Sequence, residues 1–184
     1  MFAADTLRLA QILVTECTKR SLKIATVESC TGGLIAGAIT SISGASQVLD
    51  RGYVTYSNAA KTELVGVPAG YFVPGNVGAV SEETAREMAE GCLAHSNVDA
   101  AVAVTGIAGP KSDDTAKPVG LVYIAVARRG VDVACSPARR ELDSQSTKGS
   151  SRGERSVLGK AAWARSSASP NSVAPKPHGS RTTS

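Results

Sequence analysis

The pattern of apolar and polar positions predicts alternating helices and strands over residues 1–135. Apolar residues at helical spacing follow Asp5, which we expect to cap a first helix. Further helices are predicted to begin at Leu34, Asn58 and Ser81, the last with the buried stripe Ala85, Met88, Ala89 and Cys92. Apolar and β-branched runs predict strands at 23–28, 48–56, 99–105, 119–127 and 131–135. This alternation is typical of an α/β fold.

The pattern ends abruptly after Cys135. Residues 136–184 contain 12 Ser, and neither a helical nor an alternating spacing continues there. Such a segment cannot bury enough apolar surface to offset the entropy of ordering it. We therefore predict a folded domain over residues 1–135 and a low-complexity, disordered basic tail over residues 136–184.

The basic charge of the chain lies in that tail. The net charge is +4, but residues 136–184 carry nine Lys/Arg against three acids, which leaves 11 basic and 13 acidic residues for positions 1–135. A slightly acidic body argues against a nucleic-acid partner. The longest apolar stretch, residues 34–42, is far short of a membrane span, so we expect no membrane association.

Four cysteines occur without a CxxC pair, which favours reduced thiols in a cytoplasmic protein over a disulfide framework or a metal site. The N-terminus carries Asp5 before its first basic residue and has no long apolar core, so it is a poor match to a signal peptide.

The first candidate for chemistry is the turn that follows the strand at 23–28. Ser29 and Thr31 sit at the end of the strand, and Gly32 and Gly33 open the next helix. Backbone N–H groups at a helix N-terminus suit an oxyanion or a phosphate, and Ser29 is then a candidate nucleophile. The alternative is structural, with Ser29 or Thr31 as a helix cap and the glycines allowing close packing.

A serine nucleophile needs a base, and the histidines are poorly placed to supply one. His95 is expected to satisfy carbonyls at the end of its helix, and His178 lies in the predicted tail. Lys61 is the better candidate, because the first turn of a helix destabilises its cation and burial would lower its pKa further. The alternative is a solvated surface lysine.

Two further residues flank the junction that carries Lys61. Tyr56 precedes the helix and is a candidate to relay a proton or donate a hydrogen bond; alternatively its ring packs against the core. We expect Asn58 to cap the helix, and it is also a candidate for substrate binding.

A third candidate segment follows the buried strand at 99–105. Thr105, Gly106, Ile107, Ala108 and Gly109 lie at a strand end, where open α/β sheets place ligands. A tight turn that only ends the strand is the alternative. If the three strands are parallel neighbours, the junctions 29–33, 56–61 and 105–110 converge on one edge of the sheet.

Several motifs occur together and in order. They are Glu28-Ser-Cys-Thr-Gly-Gly33, Arg51-Gly-Tyr-Val-Thr-Tyr-Ser-Asn58 with Ala60-Lys61, Gly78-Ala-Val-Ser81, Val104-Thr-Gly-Ile-Ala-Gly-Pro110 and Lys117-Pro-Val-Gly120. Through them, residues 5–135 resemble the C-terminal domain of the CinA competence/damage-inducible proteins, a family that includes stand-alone nicotinamide-mononucleotide amidohydrolases. The matching motifs cover only the C-terminal domain of full-length CinA and not its molybdopterin-binding-like N-terminal domain, so we expect the stand-alone form.

The resemblance implies a three-layer α/β/α sandwich with a mixed, largely parallel sheet. It also implies hydrolysis of nicotinamide mononucleotide to nicotinate mononucleotide and ammonia, with no cofactor, no metal and a homodimeric assembly. By motif, Ser29 would be the nucleophile, Lys61 the base and Tyr56 an assistant, with Cys30 as a rival nucleophile. Helix-end N–H groups near residues 31–33 would hold the oxyanion. The phosphate would sit on either the 105–109 loop or the 32–33 glycines.

The chain departs from the family after Cys135. Family members continue with another strand and a long amphipathic helix, whereas this chain continues with a Ser- and Arg-rich tract. We hypothesise a frameshift near residues 135–140, which predicts that another reading frame encodes the helix; no helix in either other frame would discard the idea. An inactive pseudoenzyme is therefore one alternative to an active enzyme. A non-catalytic protein linked to competence or DNA damage, with its basic tail contacting nucleic acid, is another.

Overall fold

The computed structural model describes residues 2–109 and 117–139, and within them the predicted alternation of helices and strands is confirmed. The helices are α1 Ala4–Lys19, α2 Leu34–Thr40, α3 Asn58–Val65 and α4 Glu82–Ala94. The strands are β1 Ile24–Glu28, β2 Leu49–Val54, β3 Ala100–Gly106, β4 Leu121–Arg128 and β5 Val131–Arg139. The last strand runs past its predicted end at Cys135. Pro110 lies outside the described residues. The same holds for residues 140–184 of the predicted tail, which include His178.

The five strands form one mixed sheet in the order β2-β1-β3-β4-β5. Strand β1 is parallel to both of its neighbours, whereas β4 is antiparallel to β3 and to β5. The antiparallel pairing of β4 with β5 follows from a short connection, because only Arg129 and Gly130 join these two strands. Gly130 has a φ of 73°, a left-handed conformation that glycine adopts in a tight turn without steric cost.

Helices cover the sheet from both sides, so the three-layer sandwich is confirmed. On one face, Val14, Cys17 and Ile39 from α1 and α2 pack with Ile24 of β1. On the other face, the predicted stripe of α4 is fully buried against small side chains of the strands. These contacts join Ala85, Met88, Ala89 and Cys92 to Ala25, Ala101, Ala103, Ala125 and Ala127. Within the described ranges, no helix is both long and apolar enough to cross a bilayer.

The helix ends confirm some of the predicted caps and correct others. Ser81 caps α4 by accepting a hydrogen bond from the Thr84 amide at 3.1 Å, and His95 Nδ1 lies 2.8 Å from the Gly91 carbonyl oxygen at the end of that helix. Asp5 is not a cap. It lies in the first turn of α1, where its negative charge interacts favourably with the positive end of the helix dipole. Ser57, rather than Asn58, caps α3.

Gly91 allows α4 to approach the end of α3, and we expect Gly91→Ala to destabilise the domain. A Cβ at this position would lie 1.7 Å from the Val65 carbonyl oxygen, so backbone would have to move. We expect a loss of about 3 kcal/mol in the free energy of unfolding, at the upper end of overpacking costs. Thermal and urea unfolding followed by circular dichroism measure the loss.

Gly70→Ala is the matched control, because a Cβ at Gly70 would meet nothing within 4 Å. We expect it to leave stability nearly unchanged. Equal stability of the two alanine variants would contradict the close helix approach.

Candidate active site

The three predicted junctions meet at one edge of the sheet, as the sequence indicated. Strands β2, β1 and β3 are adjacent and parallel, so their carboxyl ends lie side by side. A cleft of about 290 Å³ opens there. It is lined by Ser29, Cys30, Tyr56, Asn58, Lys61, Ala79, Val80, Thr105, Gly106, Ile107, Ala108 and Gly109.

Ser29 and Lys61 form the polar centre of this cleft. Lys61 Nζ lies 3.0 Å from Ser29 Oγ, although the two residues belong to different elements. Ser29 is 7% exposed and Lys61 only 1% exposed. The alternative of a solvated surface lysine is therefore wrong. The ammonium end of Lys61 also lies 2.8 Å from the Thr55 carbonyl oxygen and 3.4 Å from that of Tyr56.

Burial makes the neutral form of Lys61 easier to reach than it is for an exposed lysine. Burial lowers the pKa of Lys61 below its ordinary value of 10.5, and a charge on Cys30 would oppose this only where that thiol ionises. A neutral amine has two N–H donors and one lone pair. In the structure Lys61 Nζ donates to Ser29 Oγ and to both carbonyl oxygens. Once Lys61 is neutral, the two carbonyl oxygens can take its two N–H groups, which leaves the lone pair to accept the hydroxyl proton of Ser29. A hydroxyl and an amine at this distance can act as a nucleophile and its base.

Cys30, the rival nucleophile, is half-buried in the same cleft. Burial raises the pKa of its thiol, so the reactive thiolate is disfavoured. The chemical environment thus supports the hydroxyl of Ser29 over the thiol of Cys30.

Glu28 is the site feature that the sequence analysis missed. Its side chain is 1% exposed. The carboxylate accepts hydrogen bonds from Thr31 Oγ1 at 2.7 Å and from the amides of Gly33, Ile35 and Ala36 at 3.1, 3.0 and 2.8 Å. The signal was present in the sequence, because a carboxylate at the end of a buried strand must find donors nearby.

This carboxylate corrects the role predicted for the N-terminus of α2. The Gly33 amide donates to Glu28, and the Gly32 amide donates to the Ser29 carbonyl at 3.0 Å. These groups are therefore engaged within the protein rather than presented to an oxyanion or a phosphate. The structural alternative needs correction too, since the residue at the cap position is Gly33, with a φ of 99°, and neither Ser29 nor Thr31.

Two side chains hold the 79–80 segment that lines part of the cleft. Thr105 Oγ1 donates to the Ala79 carbonyl at 2.7 Å, and Lys117 Nζ donates to the Val80 carbonyl at 2.6 Å. Lys117 belongs to the motif at 117–120, and no role was predicted for it. Because Val80 belongs to the cleft lining, the hydrogen bond from Lys117 to its carbonyl links the segment that follows the 105–109 loop to the cleft.

Tyr56 and Asn58 lie at the exposed side of the cleft. Tyr56 is 74% exposed, so the alternative in which its ring packs against the core is wrong. Asn58 is exposed at the first position of α3. Across the described ranges 2–109 and 117–139, no group of three or more His, Cys, Asp or Glu side chains is placed to hold a metal ion.

Comparisons of the sequence and of the structure with known proteins both find proteins of one family. The family model described as CinA C-terminal domain matches residues 6–152. A CinA-like protein of Syntrophus aciditrophicus is 51% identical over 127 residues, 69% of this chain and 30% of that protein. One of Akkermansia muciniphila is 52% identical over 122 residues, 66% of this chain and 29% of that protein. The chain thus spans about a third of the length of the curated relatives it matches.

Solved structures share the fold. The competence/damage inducible protein CihA from Agrobacterium tumefaciens superposes with a TM-score of 0.71 at 47% identity, covering 76% of this chain and 83% of that chain. The competence damage-inducible protein A from Klebsiella pneumoniae gives a TM-score of 0.69 at 32% identity, covering 73% of this chain and 82% of that one. On this evidence the chain belongs to the CinA C-terminal domain family.

Proposed function

We propose that this chain is a cytoplasmic amide hydrolase that converts nicotinamide mononucleotide to nicotinate mononucleotide and ammonia. The observation that carries the proposal is the buried pair of Ser29 Oγ and Lys61 Nζ, 3.0 Å apart in a cleft. This pair supports the reaction class. The choice of substrate rests on the resemblance to the amidohydrolases of the family.

The reaction follows from the two side chains. Ser29 Oγ attacks the carboxamide carbon, and Lys61 accepts the hydroxyl proton. The tetrahedral intermediate collapses as the C–N bond breaks, and Lys61 gives its proton to the departing ammonia. Water then attacks the resulting serine ester with Lys61 again as base, which releases nicotinate mononucleotide and restores the Ser29 hydroxyl.

The remaining cleft residues are assigned to substrate contacts in this proposal. Tyr56 and Asn58, beside Lys61, would contact the substrate, with Tyr56 assisting proton transfer. The phosphate would lie on the 105–109 side of the cleft. That choice is favoured because the Gly32 and Gly33 amides already donate to acceptors within the protein.

The direct test is incubation of the purified full chain with nicotinamide mononucleotide, with ammonia and nicotinate mononucleotide measured together. Nicotinamide, nicotinamide riboside and the dinucleotide NAD are the comparison substrates. Equal release of the two products from the mononucleotide, with little from free nicotinamide, supports the proposal. Release of no ammonia from any of these amides by a folded chain would overturn it.

The proposed base also predicts the pH dependence of the rate. Only neutral Lys61 can accept the Ser29 proton, so kcat/KM is expected to rise with pH. Because burial lowers the pKa of Lys61, the midpoint of that rise should lie below 10.5. A pH–rate profile in buffers of constant ionic strength measures this midpoint. A kcat/KM that stays flat from neutral pH to 10.5 would contradict Lys61 as the base.

A further inference from the structure

Glu28 accepts hydrogen bonds from backbone amides at the N-terminus of α2, and this contact suggests a second role. We propose that it is a positioning residue, whose buried carboxylate fixes the 29–33 turn so that Ser29 Oγ meets Lys61 Nζ. This inference rests on the proposed role of Ser29 as the nucleophile, and it assigns a function to a residue that has no contact with the substrate in the mechanism above.

The turn is anchored at its first end by the sheet. Glu28 closes β1 and pairs with both neighbouring strands, opposite Val54 and Val104. The Ser29 amide continues this anchoring by donating to the Val104 carbonyl oxygen at 2.9 Å. The backbone entering the turn is therefore fixed relative to β2 and β3.

The Glu28 side chain anchors the other end. It reaches past the turn to the first residues of α2, where Gly33, Ile35 and Ala36 donate their amides to it, and it takes the Thr31 hydroxyl on the way. Ser29 thus lies between the end of β1 and the start of α2, and the Glu28 side chain links these two elements through hydrogen bonds. Lys61 is on α3, so the distance between Ser29 Oγ and Lys61 Nζ depends on where the Glu28 hydrogen bonds hold the 29–33 turn.

The carboxylate is specifically suited to the task because all four of its partners are donors. One oxygen accepts from Thr31, Gly33 and Ile35, and the other accepts from Ala36. In Glu28→Gln, the amide NH₂ would face at least one N–H group in either orientation and leave it without an acceptor. The turn is then expected to shift, and a misplacement of about 1 Å can cost about 10²-fold in rate.

The test measures the reactivity of Ser29 without relying on the proposed substrate. The full chain is treated with a fluorophosphonate, a serine-directed probe, and the labelling rate of Ser29 is followed by mass spectrometry. We expect Glu28→Gln to slow labelling by at least about tenfold. For nicotinamide mononucleotide, kcat should fall by about 10²-fold while KM changes less than about threefold, because the residue positions the nucleophile rather than the substrate.

Thr31 supplies a milder pair of variants in case Glu28→Gln does not fold. Thr31→Val removes one donor to the carboxylate at a half-buried position, and Thr31→Ser keeps it. Slower labelling in the valine variant and recovery in the serine variant support the proposal. Glu16→Gln, an exposed carboxylate on α1, is the matched control and should label at the wild-type rate.

The outcomes separate this inference from the proposed function. Unchanged labelling and kcat in folded Glu28→Gln and Thr31→Val chains would overturn the positioning role even if the mononucleotide is deamidated. Slower labelling in a chain that deamidates nothing supports the positioning role and removes the proposed substrate. A wild-type Ser29 that reacts no faster than an exposed serine would overturn both.

Discussion

Ser29→Ala is expected to reduce kcat for deamidation of nicotinamide mononucleotide by at least about 10³-fold, since removal of a nucleophile leaves only binding and the remaining polar groups. The fold should survive the change. Lys61 keeps its contacts to the carbonyl oxygens of Thr55 and Tyr56, and only one hydroxyl is lost from the cleft. Ammonia release and thermal unfolding of the same preparation measure the two effects.

Cys30→Ala is the control for this variant. It removes the rival nucleophile from the same cleft, but burial raises the pKa of that thiol. We therefore expect Cys30→Ala to keep activity within a few-fold of wild type. The reverse result, with an inactive Cys30→Ala and an active Ser29→Ala, would assign the nucleophile to the thiol and reject the role given to Ser29.

The sequence predicted the place of the site because simple periodicities determine it. Three strands, each followed by a polar junction, were readable from apolar runs, and adjacent parallel strands bring such junctions together. Lys61 was predicted from its position in the first turn of a helix. Its contact with Ser29 depended on the order β2-β1-β3, which places the two junctions side by side.

The Glu28 contacts were not predictable in the same way. Which donors a buried carboxylate meets depends on the path of the following turn, and here Gly32 and Gly33 adopt φ values of 59° and 99°. Hydrophobic periodicity carries no information on that path. The same holds for the cap of α3, because Ser57 and Asn58 are both good cap residues and local chemistry does not choose between them.

The end of β5 shows the limit of pattern reading at the sheet edge. Residues 136–139 include Ser136 and Pro137 and show no apolar alternation, so the sequence indicated that the strand stops at Cys135. The structure pairs these residues with β4, with Ser136 opposite Ile124 and Arg139 opposite Leu121. Pairing with an existing strand decides the conformation here, and local propensity does not.

Lys61→Met is the second variant with a large expected effect. Methionine fills a similar buried volume but has no lone pair on nitrogen to accept the Ser29 proton. Loss of a general base costs about 10²–10⁴-fold in rate, so we expect kcat to fall within that range and the rising limb of the pH–rate profile to disappear. Deamidation kinetics from neutral to alkaline pH measure both changes.

The same variant should change how stability depends on pH. Burial lowers the pKa of Lys61 in the folded chain, whereas the unfolded chain keeps the ordinary value of 10.5. Between these two values the unfolded state binds more protons, so the free energy of unfolding of the wild type rises with pH, by at most about 1.4 kcal/mol per pH unit. The destabilisation by Lys61 is full below the lowered pKa and is gone above 10.5.

Lys61→Met removes this titration, so its stability relative to wild type should be greatest at low pH within that window and decline as the pH rises. Lys19→Met, which changes an exposed lysine on α1, is the control and should keep the wild-type pH dependence. Urea unfolding at a series of pH values measures the difference. A constant gap between Lys61→Met and wild type across the window would show that Lys61 titrates normally in the fold, and would remove the basis for its role as a base.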